Sequence, residues 1–120
     1  MKTDNPYLEH ILDAISKIED YLSDSNHDEF LNDSMTQDAV VRNLEIIGEA
    51  TKRISKETRQ THPEIPWSEI AGTRDRLIHA YFDVDLNEVW IMVERDVPLL
   101  KSAVAKILAE LGDSRGRTAP

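Results

Sequence analysis

Apolar side chains recur every three or four positions along most of the chain, which is the spacing of one face of an α-helix. The first such stripe predicts a helix over residues 5–22, with Asp4 as its N-terminal cap. A second stripe predicts a helix over residues 34–56. The segment "SDSNHDEF" between them breaks the pattern and predicts a loop.

The second half of the chain carries two more helical patterns. A third helix is predicted over residues 67–82, after the segment "RQTHPEIP", whose two prolines predict a connection. A fourth, long helix is predicted after Asp85, which forms a capping-box pattern with Glu88. Pro98 lies inside this helix and cannot bond the carbonyl of Glu94, so we expect a kink or a break there.

Together these patterns predict the fold class. Four amphipathic helices with short connections and no strand pattern indicate an all-α protein, an antiparallel four-helix bundle with a kinked or broken long C-terminal helix. A chain of 120 residues suffices for one domain with its own core. We expect that domain over residues 1–111 and a flexible tail over 112–120, where "GDSRGRTAP" offers no apolar residue beyond one alanine.

Composition removes several function classes. The absence of cysteine excludes disulfides, thiolate zinc sites and a cysteine nucleophile, and it fits a reducing cytoplasm. No run of about 18 apolar residues occurs and the N-terminus lacks an apolar signal core, so we expect a cytoplasmic protein without a membrane partner. No pair among His10, His27 and His62 has the spacing of metal ligands on a helix, so we expect no metal and no cofactor.

Charge is unevenly distributed along the chain. The net charge of −9 argues against a nucleic acid as the partner, but residues 50–82 carry six Lys or Arg against four Asp or Glu. An acidic protein can still bind a phosphate through a local basic patch. This region also holds a basic run at the end of the second predicted helix: Lys52, Arg53, Lys56 and Arg59. Such a run commonly complements the helix dipole, and it would also support an RNA backbone.

The stretch "RDRLIHAY" holds three side chains suited to phosphate chemistry, Arg74, His79 and Tyr81. On an ideal helix Arg74 and Tyr81 lie within about 20° of one another, whereas Arg74 and His79 diverge by about 140°. Asp75 and His79, four apart, would face each other as helix neighbours. One helix therefore makes a poor site from Arg74 and His79 unless its end distorts or a second chain supplies the missing partner.

Residue types favour one reaction class, although simpler roles remain open. RNA carries its own nucleophile, the 2′-hydroxyl, so a metal-free ribonuclease needs a base, an acid and a cation. An arginine binds phosphate oxygens, and a histidine exchanges protons near neutral pH. Alternatively, the histidine is a surface or hydrogen-bonded residue, and Arg74 and Arg76 pair with Asp75 or Glu69.

The wider sequence resembles a known family. The segment "HPEIPWSEIAGTRDRLIHAYFDVDLNEVW", with "RNLEIIGEATKRIS" before it, is similar to HepT-like toxins of the HEPN superfamily, from toxin–antitoxin systems of the MntA/HepT type (type VII). Arg74, His79 and Tyr81 match the motif Arg-x4-His-x-Tyr. Asp75 departs from the asparagine common in the family, which would either lower the local positive potential or orient His79 and raise its pKa.

The resemblance implies both an activity and its control. It implies a HEPN-like bundle that forms a homodimer or higher even oligomer, in which the motifs of two protomers meet in one cleft and cleave RNA without metal. Arg74 and His79 would be catalytic, with Asp75 and Arg76 supporting them. The partner would be an MntA-like nucleotidyltransferase antitoxin that transfers AMP from ATP to Tyr81. The alternative is a non-catalytic helical binding or regulatory partner of a nucleotidyltransferase.

Overall fold

The computed structural model of the chain describes residues 4–79 and 83–116, with side chains at 4–78 and 83–111. Its helices are α1 (Asn5–Leu22), α2 (His27–Leu31), α3 (Ser34–Lys52), α4 (Lys56–Thr61), α5 (Trp67–Ala71), α6 (Thr73–Leu77), α7 (Leu86–Ile91) and α8 (Val97–Gly116), and a π-helical turn (Met92–Asp96) joins the last two. Two short strands, β1 (Ile78–His79) and β2 (Asp83–Val84), pair antiparallel. The predicted all-α class is confirmed.

The core lies around α1, which packs against both α3 and α8. Each helix buries the apolar stripe that its spacing predicts, because removing those side chains from water stabilises the fold. The fully buried members include Leu8, Ile11, Ile15, Val40, Leu44, Leu100 and Val104. The described helices include none that is long and apolar enough to cross a lipid bilayer.

Two predicted helix boundaries in the first half of the chain are wrong. A side chain that caps a helix can start a new one at a position that the apolar spacing does not mark. The predicted loop after α1 contains α2, whose N-cap Asn26 accepts a hydrogen bond from the Glu29 backbone at 2.9 Å. The predicted helix over 34–56 ends at Lys52, and Ser55 starts α4 by accepting a bond from the Thr58 backbone at 3.2 Å.

Asp4 does not cap α1, in contrast to the sequence prediction. Its carboxylate instead accepts hydrogen bonds from the Ser55 backbone at 2.9 Å, the Ser55 hydroxyl at 2.8 Å and the Thr58 hydroxyl at 2.6 Å. Burial acts to raise the pKa of Asp4, but these bonds to the charged form outweigh it and hold that pKa below its usual value. The carboxylate thus fastens the start of α1 to the start of α4.

The third predicted helix, over 67–82, is the largest error. It is interrupted at Gly72 and ends at Leu77, after which the backbone of Ile78 turns extended with φ −106° and ψ 110°. The Leu77 carbonyl accepts a hydrogen bond from the Asp85 backbone at 2.7 Å, which closes the strand pair instead of continuing the helix. A β-branched residue such as Ile78 suits that extended backbone.

The C-terminal helix is deformed close to the predicted position. Asp85 accepts a bond from the Glu88 backbone at 3.0 Å, which confirms the predicted cap. The π-helical turn ends two residues before Pro98, and the Val97 backbone bonds to the Met92 carbonyl five residues back. The helix continues to Gly116, past the predicted end at residue 111, and residues 117–120 lie outside the described part.

Candidate functional site

Arg74 lies in α6 with an exposed side chain, at the edge of a groove of about 550 Å³. The groove runs between α1, α3 and the α5–α6 segment. Within the described residues Arg74 forms no ion pair. Its guanidinium is therefore available to an anionic ligand, for which its fork of donors is suited.

The groove holds further charged and aromatic residues, and we call it the arginine groove. Its side-chain lining consists mainly of Tyr7 and His10 from α1, Arg42, Glu45, Glu49 and Arg53 from α3 and its C-cap, and Arg74 from α6. Arg42 and Arg53 are exposed and, like Arg74, take part in no ion pair among the described residues. The Tyr7 and His10 rings meet edge to face with centroids 6.4 Å apart.

Helical spacing explains how α3 builds one wall of the groove. Arg42, Glu45, Glu49 and Arg53 recur every three or four positions, so they share a face, while Leu44 and Ile47 are buried on another. The sequence marks this polar face, but only the fold shows that it borders Arg74. Sequence reasoning therefore missed Arg42 as a site residue and noticed Arg53 only as part of a basic run.

Gly48 lets the α5–α6 segment approach α3. A Cβ at this position would lie 3.1 Å from the Ile70 carbonyl oxygen and 3.1 Å from Thr73 Cβ. The Thr73 hydroxyl is itself buried and donates to the Ile70 carbonyl. This close approach places Arg74, the next residue, beside the polar face of α3.

His79 does not lie on the helix that carries Arg74, because α6 ends two residues before it. The backbone of His79 belongs to β1 and pairs with Asp83. The angle of about 140° from Arg74 and the helix-neighbour pairing with Asp75 are therefore wrong, since both assume an unbroken helix. The side chain of Asp75 is exposed. Tyr81 lies outside the described residues.

Arg76, two residues from Arg74, lies on the opposite side of α6 because a helix turns by about 200° over two residues. Only 17% of its side chain is exposed. It donates to Asp96 at 2.9 Å through Nη1 and to Glu88 through Nε and Nη2, and Nη1 lies 3.9 Å from Glu69. Burial acts to lower the pKa of Arg76, but the bonds to Asp96 and Glu88 raise it above its ordinary value.

Arg76 therefore does not lie free beside the motif. Asp96 is 3% exposed and belongs to the π-helical turn, while Glu88 belongs to α7. The three side chains form a largely buried ion cluster that fastens α6 to the C-terminal helix. Of the open alternatives for Arg76, the contact with Glu69 is present and a pair with Asp75 is not seen among the described residues.

The residues of the basic run at the end of the second predicted helix have two roles: some contact the C-terminal end of α3, and one lines the arginine groove. Arg59 donates to the Thr51 carbonyl at 2.6 Å, and Lys52 pairs with Glu49 at 3.1 Å, as expected for cations near a helix C-terminus. Arg53 lines the arginine groove instead. Across the described ranges, no three His, Asp or Glu residues lie together as metal ligands would.

Comparisons with known proteins point to one family. The family model described as "Ribonuclease HepT-like" matches residues 11–107. The "Probable ribonuclease HepT" of Thermococcus cleftensis is 50% identical over 101 residues, which are 84% of this chain and 92% of that protein. A "Putative RNase" of Caldanaerobacter subterraneus subsp. tengcongensis is 44% identical over 108 residues, 90% of this chain and 96% of that protein.

A longer relative carries the same similarity. The "Gamma-glutamylcyclotransferase and putative RNase" of Methanocaldococcus jannaschii is 46% identical over 109 residues, which are 91% of this chain. The chain spans about half the length of that relative, since the match covers 49% of it. No solved structure matches the chain.

Proposed function

The chain belongs to the ribonuclease HepT-like family, and we propose that it is a metal-independent endoribonuclease toxin that acts on RNA. The observation that carries this proposal is the exposed Arg74, unpaired within the described residues, in the matched motif Arg-x4-His-x-Tyr. The same stretch supplies a histidine, so a phosphate-binding cation and a proton carrier occur within six residues of one another.

The proposed reaction uses the 2′-hydroxyl of RNA as nucleophile. A base takes its proton, its oxygen bonds to the neighbouring phosphorus, and the bond from phosphorus to the 5′-oxygen breaks as an acid protonates that oxygen. Arg74 neutralises charge on the phosphate, and His79 exchanges the protons. Because the two residues need not belong to one chain, a site between two protomers can combine the Arg74 of one with the His79 of the other.

A mixing experiment tests the shared site. Arg74→Ala and His79→Ala proteins are each expected to be inactive alone. In a mixed dimer, the intact arginine of one chain meets the intact histidine of the other, so cleavage should return to a fraction of the wild-type rate. If unfolding and refolding the two together produces mixed dimers without activity, the site is not shared between chains.

We further propose that the partner is an MntA-like nucleotidyltransferase antitoxin that silences the toxin by transferring AMP to Tyr81. The motif match supports this assignment, and an added phosphate close in sequence to Arg74 would compete with RNA for the cation. Intact-mass measurement with the partner and ATP should show AMP additions that Tyr81→Phe lacks. Silencing of Tyr81→Phe by the partner would show that modification is not the essential step.

The acidic surface favours a second candidate, a non-catalytic binding partner of a nucleotidyltransferase. The net charge of −9 opposes RNA binding, and Asp75 stands beside the key arginine. Expression in a bacterial cell without the antitoxin distinguishes the two. A toxin slows growth and its His79→Ala variant does not, whereas a binding partner leaves growth unchanged in both cases.

A further inference from the structure

The arginine groove has features of a nucleic-acid site that extends beyond the reacting phosphate. We propose that it is a binding track for single-stranded RNA, in which Arg42 and Arg53 hold backbone phosphates beside the one held by Arg74. This inference rests on the proposed ribonuclease function and names substrate-binding residues for it. The proposed occupant of the groove is RNA, and not a second copy of the chain.

The first support is that no carboxylate in the described part of the chain forms an ion pair with the arginines of the groove. Glu45 and Glu49 lie close enough in sequence to pair with Arg42 or Arg53, but the described residues show no such pair. Glu49 pairs with Lys52 instead, at 3.1 Å. The arginines therefore keep their donors for a ligand, and phosphate oxygens match the geometry of those donors.

Spacing along α3 indicates a chain of phosphates rather than one anion. Arg42 and Arg53 are eleven residues apart on the same face, which corresponds to about 16 Å along a helix. Arg74 faces the same groove from α6. Cations spread over such a length cannot all contact one phosphate group, but they can follow the backbone of a strand.

The remaining lining fits unpaired bases. Tyr7 and His10 offer aromatic rings at the α1 wall, and base stacking on such rings in a positively charged groove is how many proteins bind single strands. The first 49 residues carry twelve acids, and the ten other than Glu45 and Glu49 repel RNA from the rest of that surface and leave the groove as the favourable path.

Fluorescence anisotropy tests the track with a labelled twelve-nucleotide single-stranded RNA of mixed sequence and the His79→Ala protein as a non-cleaving background. Adding Arg42→Ala and Arg53→Ala should weaken binding about tenfold and reduce the slope of affinity against salt by about 1.4, since two phosphate contacts are lost. Matched controls are Lys17→Ala and Lys106→Ala, which remove exposed cations outside the groove and should leave affinity within about twofold.

A variant that is expected to strengthen RNA binding keeps the proposal testable if the double variant folds poorly. Glu45→Gln removes a negative charge from the groove and should tighten binding about threefold. Unchanged affinity in the folded double variant, or weaker binding in Glu45→Gln, overturns the track. If either variant changes its oligomeric state on size-exclusion chromatography, the proposed RNA track is also overturned, because the groove would then be an interface between copies of the chain. Intact RNA with the wild-type protein instead contradicts the proposed ribonuclease, whatever the groove binds.

Discussion

Arg74 and Arg76 are separated by one residue on the same short helix, yet they lie in opposite surroundings. Arg74 is exposed at the arginine groove and forms no ion pair among the described residues. Arg76 is largely buried and bonds to Asp96 and Glu88. The buried charge fastens α6 to the C-terminal helix, whereas the exposed charge is left for a ligand.

This contrast separates stability from function within three residues. A buried guanidinium is tolerated only with carboxylates beside it, and removing one partner leaves the other unpaired in the interior. An exposed guanidinium without a partner contributes little to the free energy of unfolding. Variants at the two positions should therefore affect different measurements.

The largest expected effect is at Arg74. Arg74→Ala should lower the RNA cleavage rate at least a hundredfold, because a charge-stabilising donor is lost at the phosphate. Arg74→Lys should recover part of that loss, since it keeps the charge but loses the planar guanidinium that can donate two parallel hydrogen bonds. The urea midpoint of both variants should match the wild type. If Arg74→Ala were less stable than the wild type, Arg74 would contribute to stability as Arg76 does, and the proposed difference between the two arginines would be contradicted.

The next largest effect is on stability, at Arg76. Arg76→Ala should lower the free energy of unfolding by about 3 kcal/mol in urea titration, because Asp96 is then buried without its cation. The double variant Arg76→Met with Asp96→Leu is the matched control and should lose less than Arg76→Ala. An Arg76→Ala protein as stable as the wild type would show that the cluster does not hold α6.

Gly48 offers a smaller test of how α6 is placed. Gly48→Ala improves helix propensity by up to about 1 kcal/mol, but its Cβ would crowd the Ile70 carbonyl and Thr73 at 3.1 Å. We expect a net loss of about 1 kcal/mol and slower cleavage, since Arg74 moves with Thr73. Gly72→Ala is the control, because its Cβ would approach only the preceding turn, with Ser68 oxygen at 3.3 Å. Equal losses in both variants would contradict this placement.

The smallest effect concerns a buried carboxylate, Asp4, and its pH dependence. Because its pKa is lowered on folding, its stabilising contribution is present above the unfolded value of 3.8 and is lost as pH falls through the lower folded pKa. Asp4→Asn should therefore be about 1 kcal/mol less stable at pH 7, with the difference shrinking below pH 4. A difference that stays constant between pH 7 and pH 3 would show that the charge is irrelevant.

The sequence predicts those parts of the fold that depend on apolar periodicity. The span of α1 and the cap at Asp85 are as predicted, because local spacing and a single side chain determine them. Periodicity could not predict that the third helix ends at Leu77, since the Leu77 carbonyl bonds to the Asp85 backbone across the strand pair. That bond, between residues eight apart, changes the relation of His79 to Arg74.

The candidate site was predictable only where it is a continuous motif. Arg74 stands out in the stretch "RDRLIHAY", but Arg42 joins it only through the packing of α3 against α6. The different surroundings of Arg74 and Arg76 were equally hidden, because the carboxylate partners of Arg76 lie on α7 and the π-helical turn. Residue type shows which chemistry is possible, and tertiary packing decides which arginine is available for it.

The most direct measurement is cleavage of RNA by unmodified protein in the presence of EDTA. Intact mass must first show that Tyr81 carries no AMP, because a modified toxin is expected to be inactive. The proposed mechanism predicts RNA cleavage without added metal by the wild type, and none by Arg74→Ala or His79→Ala. Intact RNA with the unmodified wild type, or cleavage that persists in His79→Ala, would contradict it.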